Sequence, residues 1–205
     1  MTLYKDLIKP FLGRFLAFIG LILFWWVLVI IAIAIFIDDP GSVLFIQRRI
    51  GKKINGRIAC FKIYKFRTMK RSTPKDVPTH LLENPDQYIT RVGRILRKYS
   101  LDELPQIFNI LLGDLLWIGP RPALYNQKDL ISLREKYGIN DLVPGLTGWA
   151  QVNGRDEISI PEKVQLDKYY KDRICSNSLS GIIMDIRCIL RTLKVVVKSE
   201  GNREG

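Results

Sequence analysis

From Phe15 to Ile37 the chain runs for 23 residues without a charged side chain, and the run includes Trp25-Trp26. As a helix it measures about 34 Å at roughly 1.5 Å per residue, enough to cross the hydrocarbon core of a bilayer. It is too long and too aromatic for a signal-peptide core, and no small-residue cleavage site follows it. Residues 1–38 are therefore expected to form a membrane anchor, and residues 39–205 a cytosol-facing domain. The flanks restrict the topology further. Lys5, Lys9 and Arg14 precede the run, and Arg48, Arg49, Lys52, Lys53 and Arg57 follow shortly after Asp38-Asp39. Basic flanks favour the cytoplasmic side. A re-entrant helix puts both ends there, whereas one straight crossing does not. A turn inside the membrane usually needs proline or glycine with a hydroxyl nearby. Gly20 is present, but no proline lies between Phe11 and Ile37. The re-entrant form is the expectation, and a plain spanning anchor is its competitor.

Charge narrows the choice of partner. Lys and Arg total 32 against 20 Asp and Glu, a formal charge of +12, so an anionic partner is expected. Cys60, Cys175 and Cys188 show no metal-ligand spacing and read as reduced thiols facing the cytosol. His80, the single histidine, lies in a polar stretch and argues against a histidine-based triad.

Against that basic background, the adjacent acids Asp102-Glu103 stand out. They open a run with Leu104, Ile107, Phe108, Leu111 and Leu112 at helical spacing, read as a buried face, with Gly113 placed to end it. Ser100 and Glu103 have capping-box spacing, so helix capping is the plain explanation of the acids. Pro105, however, tolerates only the first helical turn, which moves the expected helix start to Asp102. Ile118-Gly119-Pro120-Arg121-Pro122 then forms a stiff turn carrying one guanidinium.

The remaining segments support an α+β, mainly helical fold. Asp38-Asp39-Pro40-Gly41 ends the anchor, Ser42–Gln47 reads as a strand, and Asn55-Gly56 turns a basic hairpin into a second strand over Ile58–Phe66. Lys65 and Arg67, two apart, share one strand face. A polar loop covers about Lys70 to Asp86, and Thr90 caps a helix to Tyr99 with Val92, Ile95 and Leu96 inward and Arg91, Arg94, Arg97 and Lys98 outward. A helix over Ala123–Tyr137 follows. Pro144–Arg155 is a tightly shaped loop presenting Thr147, Gln151, Asn153 and Arg155, with glycine spacing that fits neither phosphate-binding fingerprint. Pro161 starts a helix, and Leu179–Lys198 has the composition of an interfacial amphipathic helix, with packing on the core equally allowed.

Acids kept among cations at a phosphate site usually hold Mg²⁺ or attack phosphorus, and arginines there stabilise charge on the non-bridging oxygens. Phosphoryl-group transfer at a membrane surface suits these parts. The blocks Phe61–Met69, Ser100–Gln106, Gly113-Asp114, Ile118–Pro122 and Pro144–Arg155, in that order, closely resemble the bacterial sugar transferases, the small monotopic polyprenyl-phosphate phosphoglycosyl transferases. The resemblance implies transfer of a sugar-1-phosphate from a UDP-sugar to polyprenyl (undecaprenyl) phosphate, with release of UMP, at the cytosolic face of the bacterial inner membrane. It implies Asp102 as the nucleophile and a contact of Mg²⁺, and Glu103 as proton acceptor or orienter of the acceptor phosphate. Lys65, Arg67, Arg121 and Arg155 match charged family positions and are the expected phosphate ligands.

The family's re-entrant helix breaks at a Ser-Pro pair, where Val27-Leu28 stands here. Pro122–Gln127 resembles members that act on N-acetylated 6-deoxyhexoses for capsule or O-antigen. Membrane lipid is an expected partner, nucleic acid is not, and a homo-oligomer is allowed. The competing reading is a basic membrane-anchored adaptor that binds acidic lipid or nucleic acid without catalysis, for which the acids and the shaped loop have no use.

Overall fold

The computed structural model describes residues 2–73, 85–154 and 158–198. A π-helical turn over Tyr4–Ile8 runs into helix α1, Lys9–Asp38, which is continuous through Gly20 and Val27-Leu28. The expected turn inside the apolar run is therefore not there: with no proline inside the run, nothing interrupts the backbone ladder. Among the described residues α1 is the one helix long and apolar enough to cross a membrane.

Both ends of α1 are nonetheless tied to the same body. Near its start, Trp117 Nε1 donates to the Gly13 carbonyl at 2.9 Å, and Ala17 is buried with Ile110 and Leu115. Near its end, Ile31 and Ile35 pack with Phe66 and Leu96, and Asp38 Oδ2 accepts from the Val92 amide at 2.8 Å. The opposite face, including Phe15, Phe18, Phe24, Trp25 and Trp26, is exposed.

Strands β1 (Leu44–Ile54) and β2 (Arg57–Phe66) form the expected antiparallel hairpin. Its turn residues Asn55 and Gly56 both have positive φ, as a type I′ turn requires. Thr90 caps helix α2, Arg91–Lys98, accepting from the Gly93 amide at 2.9 Å. Val92 and Leu96 face inward as expected, but Ile95 is exposed. After the dyad come α3 (Gln106–Leu112), β3 (Leu116–Ile118), α4 (Lys128–Lys136) and β4 (Gly145–Thr147). The helix expected over Ala123–Tyr137 is shorter because Gln127 Oε1 closes a turn on the Leu124 amide instead.

Helix α5 (Ile160–Ser176) starts with a full capping box between Ser159 and Glu162, and α6 (Ser178–Lys198) packs beside it. Among the α6 positions of described burial, only a narrow stripe, Gly181, Met184, Asp185 and Cys188, is buried; Ile183, Ile186, Ile189, Leu190 and Leu193 are exposed. The expected α+β, mainly helical architecture holds. Its exposed apolar surface is concentrated on α1, α3 and α6.

The core is crossed by buried polar ties. Lys9 Nζ lies 2.7 Å from Asp185 Oδ2, and the same carboxylate accepts from Tyr4 at 2.6 Å and Tyr170 at 2.8 Å. These bonds fasten the start of α1 to α5 and α6, and the shared acceptor is what makes burying the ammonium tolerable.

Candidate active site

Ser100 adopts a left-handed conformation, φ 54°, ψ 25°, and Leu101–Glu103 form a single 3₁₀ turn before α3. The expected helix start at Asp102 is thus displaced to Gln106, with Pro105 as the residue just outside. The capping box expected at Ser100 does not form, because Glu103 points to cations instead of back to the Ser100 amide. A non-glycine residue in this conformation costs roughly 1–2 kcal/mol, and such strain is commonest at functional sites.

The apolar row on α3 faces the opposite way from the expectation. Leu104, Phe108 and Leu112 are exposed, Ile107 and Leu111 are half-buried, and Gln106, Asn109 and Ile110 are fully inside. Asn109 explains the orientation. Its Oδ1 accepts from the Tyr64 amide at 3.1 Å, and its Nδ2 donates to the Lys62 carbonyl at 2.7 Å, strapping α3 to β2. That strap brings Lys65 over the dyad.

Lys65 Nζ lies 2.8 Å from Glu103 Oε1 and 4.0 Å from Asp102 Oδ2, and Arg121 Nη2 lies 3.6 Å from the same Glu103 oxygen. Asp102 is only 7% exposed. Burial raises its carboxyl above the usual carboxylate range; Lys65 opposes the rise, Glu103 adds to it and Arg97 opposes it again. Arg97 Nε also donates to Thr68 Oγ1 at 2.9 Å. The sequence had placed Arg97 in a solvated row; that the row leads straight into the dyad was the available signal.

Arg121 is held from behind. Arg134 Nη1 donates to the Arg121 carbonyl at 2.8 Å, while Arg134 Nε and Nη2 lie 3.0 and 2.5 Å from Asp167 Oδ2. The turn before Arg121 lies on β4 through the bonds Gly119 amide to Thr147 carbonyl (2.8 Å) and Gly145 amide to Pro120 carbonyl (3.0 Å). A Cβ on Gly145 would lie 2.0 Å from the Gly119 amide nitrogen, so the strand contact itself requires glycine. Within the loop expected to be irregular, Gly145–Thr147 is therefore a short strand parallel to β3.

Of the other expected ligands, Thr147 and Gln151 share a groove with Glu103 and Arg121, and Arg67 does not line it. Arg67 makes an ion pair with Asp39 (Nη1–Oδ2 2.9 Å) and donates to the Asp39 carbonyl, joining the end of α1 to β2. Thr147 Oγ1 is 2.9 Å from Thr192 Oγ1, Gln151 Nε2 donates to the Leu146 carbonyl at 3.1 Å, and Asn153 Nδ2 donates to the Trp149 carbonyl at 2.6 Å. Arg155, His80 and most of the polar loop from Lys70 to Asp86 lie outside the described residues.

An elongated groove of about 990 Å³ opens beside the dyad. Ser100, Glu103 and Arg121 line it at the dyad, Lys9, Thr147, Gln151 and Asp185 add polar groups elsewhere, and α1, α3 and α6 supply a mostly apolar wall with Leu12, Leu16, Ile107, Ile186 and Ile189.

Among the described residues there is no group of three or more His, Cys, Asp and Glu side chains able to hold a metal unaided. Magnesium usually binds through one or two carboxylates plus substrate phosphates. Asp102 fits that mode; a closed protein cage does not exist here.

Asp102 is buried and Glu103 half-buried under converging cations, beside a mostly apolar groove, an arrangement with room for a charged substrate and an amphiphile together. The model of the bacterial sugar transferase family matches residues 4–199, and the chain belongs to that family. It is 36% identical over 176 residues to the uncharacterized sugar transferase EpsL of Bacillus subtilis, covering 85% of this chain and 80% of that one. It is 42% identical over 153 residues to the UDP-glucose:undecaprenyl-phosphate glucose-1-phosphate transferase of Escherichia coli, covering 73% of this chain and 32% of that one. It is 32% identical over 195 residues to the UDP-N-acetylgalactosamine-undecaprenyl-phosphate N-acetylgalactosaminephosphotransferase of Aeromonas hydrophila, covering 91% of this chain and 43% of that one. The chain thus spans most of the first relative and less than half of the other two.

Proposed function

We propose that this protein transfers a sugar-1-phosphate from a UDP-sugar to undecaprenyl phosphate through a covalent Asp102 intermediate. The observation that carries the reading is Asp102 itself: a buried carboxylate beside Glu103, with Lys65, Arg97 and Arg121 around the pair and an apolar groove at its edge. The names of the relatives support the donor and acceptor classes.

In the first step an Asp102 carboxylate oxygen attacks the phosphorus that bears the sugar. The bond from that phosphorus to the UMP oxygen breaks, and UMP leaves with the electron pair. In the second step an oxygen of undecaprenyl phosphate attacks the same phosphorus. The Asp102–phosphorus bond breaks, which restores the carboxylate and yields the undecaprenyl diphosphate sugar.

Lys65 and Arg121 hold Glu103 in place and bring positive charge to the non-bridging oxygens. Glu103 takes the proton when the acceptor phosphate arrives singly protonated. Asp102 would hold Mg²⁺ together with the donor diphosphate, where the ion would neutralise phosphate charge.

The exposed apolar faces of α1, α3 and α6 are proposed to sit in the cytosolic leaflet of the inner membrane. Because both ends of α1 are tied to the domain, this reading keeps the whole chain on one side, as a monotopic protein. The Pro122–Gln127 segment makes N-acetylated 6-deoxyhexoses the first donors to try.

A donor screen across UDP-sugars tests the reading. One donor gives sustained UMP release only with undecaprenyl phosphate and Mg²⁺, and with the acceptor withheld gives a single burst of UMP and a phospho-sugar adduct on Asp102. Full turnover by Asp102→Asn with that donor would refute the covalent route.

A further inference from the structure

We infer that the groove between α1, α3 and α6 is the seat of the acceptor's isoprenoid tail, entering the dyad from the Glu103–Arg121 side. The inference rests on the reading above and adds where and from which direction the acceptor binds.

The groove's size and composition suit a long apolar ligand. At about 990 Å³ it reaches the upper end of the roughly 300–1,000 Å³ range of small-molecule sites, and its wall is mostly apolar. A nucleotide sugar, polar along its whole length, would leave its hydroxyls and phosphates without partners on such walls.

Most of the groove's polar side chains are already bonded within the protein: Lys9 and Tyr4 to Asp185, Thr147 to Thr192, and Gln151 to the Leu146 carbonyl. Arg121 and Glu103, at the dyad, are what the groove offers an anionic head, and Leu12, Leu16, Ile186, Ile189 and Leu193 give the tail an apolar wall. The acceptor's phosphate meets Arg121 and Glu103, and its tail lies between α1 and α6.

In an in-line double displacement the acceptor oxygen attacks from the face that UMP has left, opposite Asp102, so the acceptor phosphate enters the position that the UMP phosphate vacates, beside Arg121 and Glu103.

The groove is open to lipid as well. Ile186, Ile189 and Leu193 belong to the exposed face of α6, and Leu12 and Leu16 to the exposed face of α1. A tail dissolved in the leaflet reaches the dyad by sliding between the two helices without passing through water.

The test uses the full chain in phosphatidylglycerol–phosphatidylethanolamine nanodiscs and a polyprenyl phosphate bearing a photoreactive group on its tail. Labelling is expected on Leu12 or Leu16 of α1 and on Ile186 or Ile189 of α6, suppressed by excess unmodified polyprenyl phosphate. Labels confined to Trp25 and Trp26, labels displaced by phospholipid alone, or labels at a contact between two copies of the chain would each overturn the inference. This readout requires no turnover, so it stands or falls separately from the transfer reaction.

Kinetics give a second measure once a donor is known. Leu12→Trp and Ile189→Trp should raise the acceptor KM roughly tenfold while leaving the acceptor-independent burst of UMP unchanged. Leu190→Trp, on an exposed α6 position outside the groove, should change neither. An unchanged acceptor KM in both groove variants, or a UMP burst that falls with it, counts against the groove.

Discussion

Lys65 Nζ stands 4.0 Å from Asp102 Oδ2, close enough to favour the ionised carboxylate without forming a tight ion pair. Burial pushes the Asp102 carboxyl above its ordinary value, and Lys65 is the strongest opposing influence. Only the ionised form attacks phosphorus. Lys65→Met should therefore move the acid limb of the kcat/KM profile to higher pH and lower kcat roughly 100-fold, as loss of one preorganised charge partner does. A pH–rate profile of the two proteins decides it; an unmoved limb would remove Lys65 from the titration of Asp102.

The same burial makes Asp102 a strain on the fold. With the native carboxyl titrating above its unfolded value, the folded state binds the proton more tightly, so stability falls as pH rises through the raised value. At neutral pH the charged side chain is a net liability. Asp102→Asn should thus abolish turnover, by roughly 1,000-fold or more, and yet melt at a higher temperature. Each kcal/mol gained corresponds to about 2–4 °C for a chain of this length. The gain should vanish when thermal unfolding is repeated below the ordinary carboxylate range, where both side chains are neutral. A variant less stable than the parent at neutral pH would contradict the argument.

Arg67, expected to hold phosphate, is paired with Asp39. Arg67→Ala should therefore destabilise the protein by about 1–3 kcal/mol, as removal of one partner of a part-buried polar contact does. The donor KM should change less than about twofold, because no ground-state contact to substrate is removed. Asp39→Ala should reproduce both results. Retained stability with a large rise in donor KM would return Arg67 to the substrate site.

How legible each element was depended on whether its signal was local. Asn55-Gly56, Thr90 and Gly113 each carry a turn or a cap within four residues, and the structure forms those features there; the helix expected from Pro161 starts one residue earlier, at Ile160. The facing of α3 and α6 was not legible. Helical spacing reports an apolar side, but it cannot tell a core from a lipid-facing surface, and on both helices much of that side is exposed. Nor were the ties Asn109–Tyr64, Lys9–Asp185 and Arg134–Asp167, which join positions 33 or more residues apart and leave no periodic trace. The dyad was found through its neighbouring blocks. Its surroundings, which make it a site, needed the fold.

Arg134 is the least conspicuous of these residues, and its position makes a sharp prediction. It is 4% exposed, bound to Asp167, and donates to the backbone carbonyl of Arg121. Removing Asp167 leaves a buried guanidinium without its counter-ion, at a cost of about 3–5 kcal/mol. Asp167→Asn should therefore lower stability strongly. Arg134→Lys keeps the charge for Asp167 but loses the fork that reaches both the carboxylate and the Arg121 carbonyl. It should remain folded, with the Arg121 turn less firmly placed. Because Arg121 lines the groove proposed for the acceptor, the expected defect is in the second step. The UMP burst persists, and acceptor-dependent turnover falls roughly tenfold, in line with mispositioning of a single charged group. Rapid-quench measurement of UMP against time separates the two steps. Equal losses in burst and turnover would show that Arg134 supports the fold in general and not the placement of Arg121.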